Sequence, residues 1–310
     1  MSESPDSTDM SARGSVGRFA PSPTGPLHFG SLVAAIGSFV HARAKGGAWL
    51  VRMEDVDKPR EMPGAADGIL RTLERFGLEW DGAVMYQSRR TDAYVQALEE
   101  LCDRGLVYGC ACSRKDIAEH AHMGMDGPVY PGTCRGRLGR ARATRAWRFV
   151  VPEQPVCFTD AILGKHCFDM ARDLGDFVVR RADGLFAYQL AVVVDDAGQG
   201  VTEVVRGADL LLSTPRQLVL QQALGLPVPE YAHLPLALNE QGEKLSKQTL
   251  APAVAAADVA SLWRQVLRFL GQDLPAGLER APMRELRTWA TRNWQPGRVP
   301  QHSSRVVVQL

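Results

Sequence analysis

The residues best suited to chemistry lie in two stretches far apart in the chain. The first is Arg18-Phe19-Ala20-Pro21-Ser22-Pro23-Thr24-Gly25-Pro26-Leu27-His28-Phe29-Gly30-Ser31. Pro21, Pro23, Gly25 and Pro26 forbid regular structure and force a tight loop. The loop joins a short apolar run at residues 16–20 to a helical pattern from about His28 to Lys45, with Leu32, Ile36, Phe39 and Val40 apolar. Strand, loop and helix N-terminus together present free backbone N–H groups, a geometry that suits a phosphate. Gly25 and Gly30 leave out Cβ atoms where a ligand can approach, and His28 stands where its ring can donate to phosphoryl oxygens. Taken alone, the stretch reads equally well as a loop before a core helix with an incidental histidine. The second stretch, Gly242-Glu243-Lys244-Leu245-Ser246-Lys247, sets two lysines around a serine in a polar loop.

Other residues carry weaker signals. Six cysteines are present, none in an oxidative framework. Cys110-Ala111-Cys112 and Cys134 bracket a segment that holds His120, His122 and Tyr130 and is rich in glycine and proline. A Cys-X-Cys with a later Cys in such a loop reads as a structural zinc knuckle, although the common spacing is Cys-X2–4-Cys and the fourth ligand stays open. Cys102, Cys157 and Cys167 read as isolated apolar or surface thiols. Glu54-Asp55-Val56-Asp57 puts carboxylates at the carboxyl end of a buried strand, where open α/β sheets bind ligands, or else on a solvated loop. Arg18 and Arg206 can read a carboxylate through paired N–H donors, or equally make surface ion pairs. Arg135, Arg137, Arg140, Arg142, Arg145 and Arg148 form either a local RNA-contact patch or a solvated loop.

The elements that must position these residues alternate in period. Residues 49–53 read as a second strand, and residues 63–76 and 92–104 as amphipathic helices. Residues 147–151, 156–159 and 162–168 read as an inserted set of short strands. The parallel sheet then resumes at residues 176–180, with Asp183-Gly184 as a hairpin turn. Residues 188–194 form a continuous apolar run that reads as a doubly covered parallel strand closed by Asp195-Asp196. Residues 201–205 read as the next strand. Ser213 or Thr214 caps a helix through Ala223 with Pro215 in its first turn. Residues 233–238 are the last core strand, delivering the lysine loop, and residues 261–270 and 282–294 read as helices.

Together the two opening stretches resemble the paired signatures of class I aminoacyl-tRNA synthetases, written HIGH and KMSKS in that family. Here they read H-F-G-S from His28 to Ser31 and K-L-S-K-Q from Lys244 to Gln248, and R-F-A-P-S-P-T-G resembles the glutamyl branch. Ser31 departs from the motif's second histidine, so the phosphate contact rests on His28. The resemblance runs from about residue 16 to about residue 249. It implies an α/β, Rossmann-like doubly wound parallel sheet with an inserted zinc-containing α+β subdomain and a C-terminal helical region. It also implies ATP-dependent activation of L-glutamate with Mg2+, in which His28, Lys244 and Lys247 are catalytic and His28, Gly30 and Lys247 meet ATP. Arg18, Phe19, Ala20, Pro21, Ser22, Glu54, Tyr188 and Arg206 then make the glutamate pocket. The pattern C-X-C then Y-X3-C is similar to the zinc site of certain glutamyl-type synthetases, which favours Tyr130 beside Cys110, Cys112 and Cys134 over His120 or His122.

About sixty residues follow the lysine loop, too few for the anticodon-binding domain of full-length members. The resemblance therefore points to the truncated paralogue family, the glutamyl-queuosine tRNA(Asp) synthetases. Those enzymes activate glutamate without tRNA and esterify it to queuosine in the tRNA(Asp) anticodon. Two readings compete: a short glutamyl-tRNA synthetase charging a tRNA 3′ end, and a catalytically inactive RNA-binding paralogue. The bulk properties agree with such an enzyme. The chain has 310 residues, 45% hydrophobic and 23% charged, with a formal net charge of +1. That balance excludes a uniformly basic nucleic-acid coat, and no apolar run is long enough to span a bilayer. The expected division is a disordered tail at residues 1–13, the first half of the catalytic domain at 14–100, the acceptor-binding zinc subdomain at 101–175, the second half at 176–240 and the lysine loop with stem-contact helices at 241–310. The polar N-terminus has no signal-peptide core, and a cytoplasmic monomer is expected.

Overall fold

The computed structural model describes residues 14–136, 144–239, 241–242 and 258–306. The expected tail at residues 1–13, together with Arg137, Arg140, Arg142, Lys244 and Lys247, lies outside the described residues.

The chain begins with β1 (Val16–Phe19), α1 (Phe29–Ala44), β2 (Ala48–Met53), α2 (Ala65–Arg75), β3 (Met85–Tyr86) and α3 (Thr91–Asp103). The three strands pair in parallel in that order, with Val16 opposite Ala48 and Arg52 opposite Met85. Every residue of β1 and β2 is buried, as strands covered on both faces must be. Helix α1 packs closely at Gly37, where an added Cβ would come within 2.5 Å of a Leu234 methyl.

Next come β4 (Val107–Cys110), α4 (Arg114–Ala118), β5 (Met123–Gly124), β6 (Gly127–Pro128), β7 (Ala146–Phe149), β8 (Val156–Asp160), β9 (Gly164–Phe168), α5 (Met170–Asp173) and β10 (Phe177–Arg180). Strands β10, β7 and β4 form an antiparallel sheet, while β8 and β9 form a hairpin. The strand expected to resume the parallel sheet near residue 176 therefore belongs to this antiparallel unit. Its residues alternate between buried and half-buried, the period of a sheet with one covered face. The hairpin also corrects a cysteine assignment. Cys157 and Cys167 lie opposite each other across β8 and β9 and are joined as a disulfide. Residues ten apart in sequence become neighbours only once the strand register is set.

The last part holds α6 (Tyr188–Gly198), β11 (Glu203–Gly207), α7 (Thr214–Ala223), β12 (Glu230–Leu234), β13 (Leu236–Leu238), α8 (Val259–Phe269), α9 (Met283–Asn293) and β14 (Ser304–Val306). Strands β11 and β12 pair in parallel. The Thr202 N–H donates to Val16 O at 2.9 Å and the Val16 N–H to Thr202 Oγ1 at 2.8 Å, so β11 starts beside β1. The layer thus runs β3-β2-β1-β11-β12, and chain order reverses between β1 and β11. Open α/β sheets bind ligands at the carboxyl ends of such a switch point.

Two expectations fail here. Residues 188–194 are the first turns of α6 and not a strand. A continuous apolar run that is buried all round fits either period, and the sequence offered no polar face to decide. Ser213 stands at the N-cap of α7 with Pro215 in the first turn, but no side chain caps that helix. The Thr214 hydroxyl instead accepts from Arg206. Trp263 and Leu267 of α8 and Leu286 of α9 join the core around α1, and Trp263 Nε1 donates to Phe76 O at 3.0 Å. Among the described residues, no helix is long and apolar enough to cross a membrane.

Candidate active site

A cavity of about 660 Å³ opens at the carboxyl ends of β1 and β11. Its lining includes Arg18, Phe19, Ala20, Pro21, Ser22, His28, Gly30, Glu54, Tyr188 and Arg206. These come from β1, the proline-rich loop, the start of α1, the end of β2, the first residue of α6 and β11. His28 is the N-cap of α1, and its Nδ1 accepts the Ser31 backbone N–H at 3.3 Å. A neutral ring that accepts at Nδ1 carries its proton on Nε2. The position that departs from the two-histidine motif thus contributes its backbone amide to orient the remaining histidine.

Arg18 is buried, and its Nε donates to Asp196 Oδ1 at 3.2 Å. The same oxygen lies 2.8 Å from Arg52 Nη1. Arg52 is fully buried, and it also reaches Gln199 Oε1 at 2.8 Å and Glu54 Oε1 at 3.4 Å. Burial alone would push Asp196 up, but the Arg18 and Arg52 guanidiniums outweigh it and hold the carboxyl below its ordinary value. For Glu54 the balance reverses. Burial dominates and raises it, with Arg52 and Arg18 offsetting only part.

Arg206 is held quite differently. Its Nε donates to His233 Nε2 at 3.1 Å. Its Nη1 donates to Tyr188 Oη at 3.4 Å and Gln217 Oε1 at 2.9 Å. Its Nη2 donates to Leu210 O at 3.3 Å and Thr214 Oγ1 at 2.8 Å. All five acceptors are neutral groups, and no carboxylate among the described residues forms an ion pair with Arg206. A buried guanidinium with no adjacent anion attracts one, and a ligand carboxylate can supply it.

A second cluster lies in the insert. The sulphurs of Cys110, Cys112 and Cys134 all lie within 4.8 Å of one another. Tyr130 Oη is 3.4 Å from Cys110 Sγ and 3.5 Å from Cys112 Sγ, and Cys112 Sγ is 3.5 Å from Cys134 Sγ. A tetrahedral ion with Zn–S bonds of about 2.3 Å needs sulphurs roughly 3.8 Å apart, so this donor set fits zinc with little movement. The two histidines point elsewhere: His120 Nδ1 meets Asp116 O, and His122 Nε2 meets Arg172 O. Arg135, on this side of the insert, is taken up by Asp176 at 2.8 Å.

Residues 16–268 match the family described as tRNA synthetases class I (E and Q), catalytic domain. The chain belongs to that family. It is 59% identical over 289 residues to the glutamyl-Q tRNA(Asp) synthetase of Dechloromonas aromatica, covering 93% of this chain and 96% of the relative. It is also 59% identical to the protein of that name from Chromobacterium violaceum, covering 92% and 95%. Among solved structures it resembles a glutamate tRNA ligase from Elizabethkingia meningosepticum, solved in complex with its amino acid. That likeness has a TM-score of 0.76 at 24% identity, covers 95% of this chain and 67% of the other, and concerns the fold.

Within this class I synthetase, the pocket residues expected from sequence converge on one cavity, while the expected lysines lie outside the described residues. Several buried polar residues around that cavity escaped the sequence reading: Arg52, Asp160, Asp196, Gln217 and His233. Asp196 was legible only as the end of a supposed strand. A helical reading sets it two turns beyond Tyr188, on an element that faces the cavity. His233 and Asp160 are separated by 73 residues, and nothing local links them.

Proposed function

We propose that the chain activates L-glutamate with ATP and Mg2+, without tRNA, and transfers it to queuosine in the anticodon of tRNA(Asp). The observation that carries this reading is Arg206, a buried guanidinium held by five neutral acceptors, in the same cavity as the loop and helix N-terminus of His28. A carboxylate ligand seated by Arg206 and Arg18 brings its reacting oxygen toward a nucleotide cradled at α1. That oxygen attacks the α-phosphorus of ATP, pyrophosphate leaves, and glutamyl-adenylate results. Both reactants are anionic, so positioning and charge stabilisation are the protein's main tasks. His28 Nε2–H and the α1 amides serve the phosphates, and Gly30 leaves room for the adenine. Lys244 and Lys247 take the charge building on the leaving pyrophosphate. Phe19, Ala20, Pro21, Ser22, Glu54 and Tyr188 complete the amino-acid pocket, with Glu54 toward the ammonium. The acceptor assignment draws its support from the named relatives, which the chain matches over 95% or more of their length.

Cys110, Cys112, Tyr130 and Cys134 would hold one structural zinc, which would staple a segment too rich in glycine and proline to fold around its own core. Purified protein should then carry about one zinc per chain, and Cys134→Ala should lose it.

The deciding experiment is transfer of labelled glutamate. ATP–pyrophosphate exchange should proceed with glutamate and no RNA. Transfer should require tRNA(Asp) with queuosine, fail with guanosine in its place, and survive removal of the terminal adenosine. Efficient charging of unmodified tRNA(Glu) at its 3′ end would overturn this reading.

A further inference from the structure

We infer that Asp160 and His233 are a positioning pair that sets Arg206 in its ligand-reading pose while keeping an anion out of contact with it. The inference rests on the reading of Arg206 given above and deepens it. His233 lies on β12 directly opposite Arg206 on β11 and is fully buried. Asp160 ends β8 at the turn of the hairpin and is buried as well. Its Oδ1 accepts the backbone N–H groups of Ile162 at 3.0 Å, Leu163 at 2.9 Å and His233 at 3.1 Å. Its Oδ2 lies 2.6 Å from His233 Nδ1. A carboxylate with that many donors is ionised and only accepts, so the imidazole proton sits on Nδ1. Nε2 is then a lone pair, aimed at the Arg206 Nε–H, with Thr214 Oγ1 3.3 Å away on the same side.

This arrangement answers a specific need. A guanidinium buried beside a carboxylate is firmly held but partly neutralised, as Arg18 is by Asp196. Setting an imidazole between Asp160 and Arg206 keeps the hydrogen bond and moves the anion one ring away. Arg206 is fixed by an acceptor that has been oriented from behind, and its charge stays available to the ligand. If the ring carried its proton on Nε2, two N–H groups would face each other and Arg206 would lose its Nε acceptor.

The test uses the full chain and two readouts. Asp160→Asn keeps a carbonyl for the three backbone N–H groups, while its amide donates at Nδ1 and drives the proton to Nε2. Glutamate KM in ATP–pyrophosphate exchange should rise roughly 10–100-fold, the range for spoiling a buried hydrogen bond to a charged group. KM for ATP and kcat should stay within about threefold, a split that general loosening of the fold would not produce. His233→Gln, whose amide oxygen can accept from Arg206, should retain more affinity than His233→Leu. Independently, 15N NMR of the wild type should find His233 protonated at Nδ1. An Nε2-protonated or doubly protonated ring would overturn the pair, as would Asp160→Asn with unchanged glutamate KM. If the variants fail to fold, the wild-type tautomer alone decides. If the wild type shows no glutamate-dependent exchange, the reading of the pocket fails instead, and the tautomer still upholds or overturns the pair.

Discussion

Arg18 and Arg206 enter one cavity from adjacent strands, β1 and β11, and are held in opposite ways. Arg18 touches Asp196, and Asp196 also holds Arg52, so a single carboxylate clamps two buried guanidiniums. Arg206 touches five neutral acceptors, and the anion behind it, Asp160, acts through an imidazole. The first arrangement builds a scaffold, because the shared carboxylate fixes both guanidiniums and offsets part of the charge of each. The second suits the reader proposed for it, because hydrogen bonds fix the fork without neutralising it. Two residues of one type, in one cavity, thus differ in what their surroundings leave for a ligand.

The comparison breaks most visibly at Asp196. Asp196→Ala strands Arg18 and leaves Arg52 with Glu54 at 3.4 Å as its counter-ion, and removing one partner of a buried ion pair costs about 3–5 kcal/mol. Urea unfolding should show a loss of that order. A loss under about 1 kcal/mol would mean that water or Glu54 replaces the clamp, and the scaffold reading would fall. At Arg206 the expected effect moves from stability to binding. Arg206→Lys keeps the charge but loses the planar fork and its fixed donors. Glutamate KM should rise about 10–100-fold, the equivalent of roughly 1.5–3 kcal/mol for charged hydrogen bonds. The unfolding midpoint should move less than in Asp196→Ala. Equal losses of stability in the two variants would erase the distinction.

What the sequence disclosed follows the same division. The cavity's front, from Arg18 through His28 and at Glu54 and Arg206, was legible through the resemblance to the paired class I signatures, since the local prolines, glycines and strand-end charges fit a plain loop and surface ion pairs equally well. Its back was not. Asp196, Arg52, His233 and Asp160 act across separations of 73 residues or more, as in Asp160–His233, Arg52–Gln199 and Arg18–Asp196. A buried polar residue gives no local sign of the partner that satisfies it. The mistaken strand at residues 188–194 had the same origin, since burial on every side removes the polar stripe that distinguishes a helix. The disulfide of Cys157 and Cys167 likewise needed the hairpin register before the two residues could be seen as a pair.

Acidification should separate the two arginine sites most finely. His233 is held below its ordinary value of 6.5 by burial, which outweighs Asp160, and Arg206 and His166 push the same way as burial. Asp160 faces it from β8, His166 from β9 and Arg206 from β11, while Tyr231 stacks on it within β12. The sign follows from proton counting. Just below pH 6.5 the unfolded chain binds a proton at this histidine and the folded chain does not, so acid favours unfolding there. One such group contributes about 1 kcal/mol of lost stability between pH 6.5 and pH 5.5. Asp196 is held below its ordinary value of 3.8, so its contribution is present above that value and fades only as the pH falls through the lower folded one. The Arg206 side should therefore respond to mild acid and the Arg18–Asp196 pair only to strong acid. His41, also lowered by burial, shares the mild-acid slope. The measurement is accordingly the slope of unfolding free energy against pH in wild type and in His233→Gln. The variant should lose about half of the wild-type slope between pH 6.5 and pH 5.5 if these two histidines dominate it. An unchanged slope would show that His233 takes up its proton in the folded state as readily as in the unfolded one, and the neutral acceptor assigned to Arg206 would not survive.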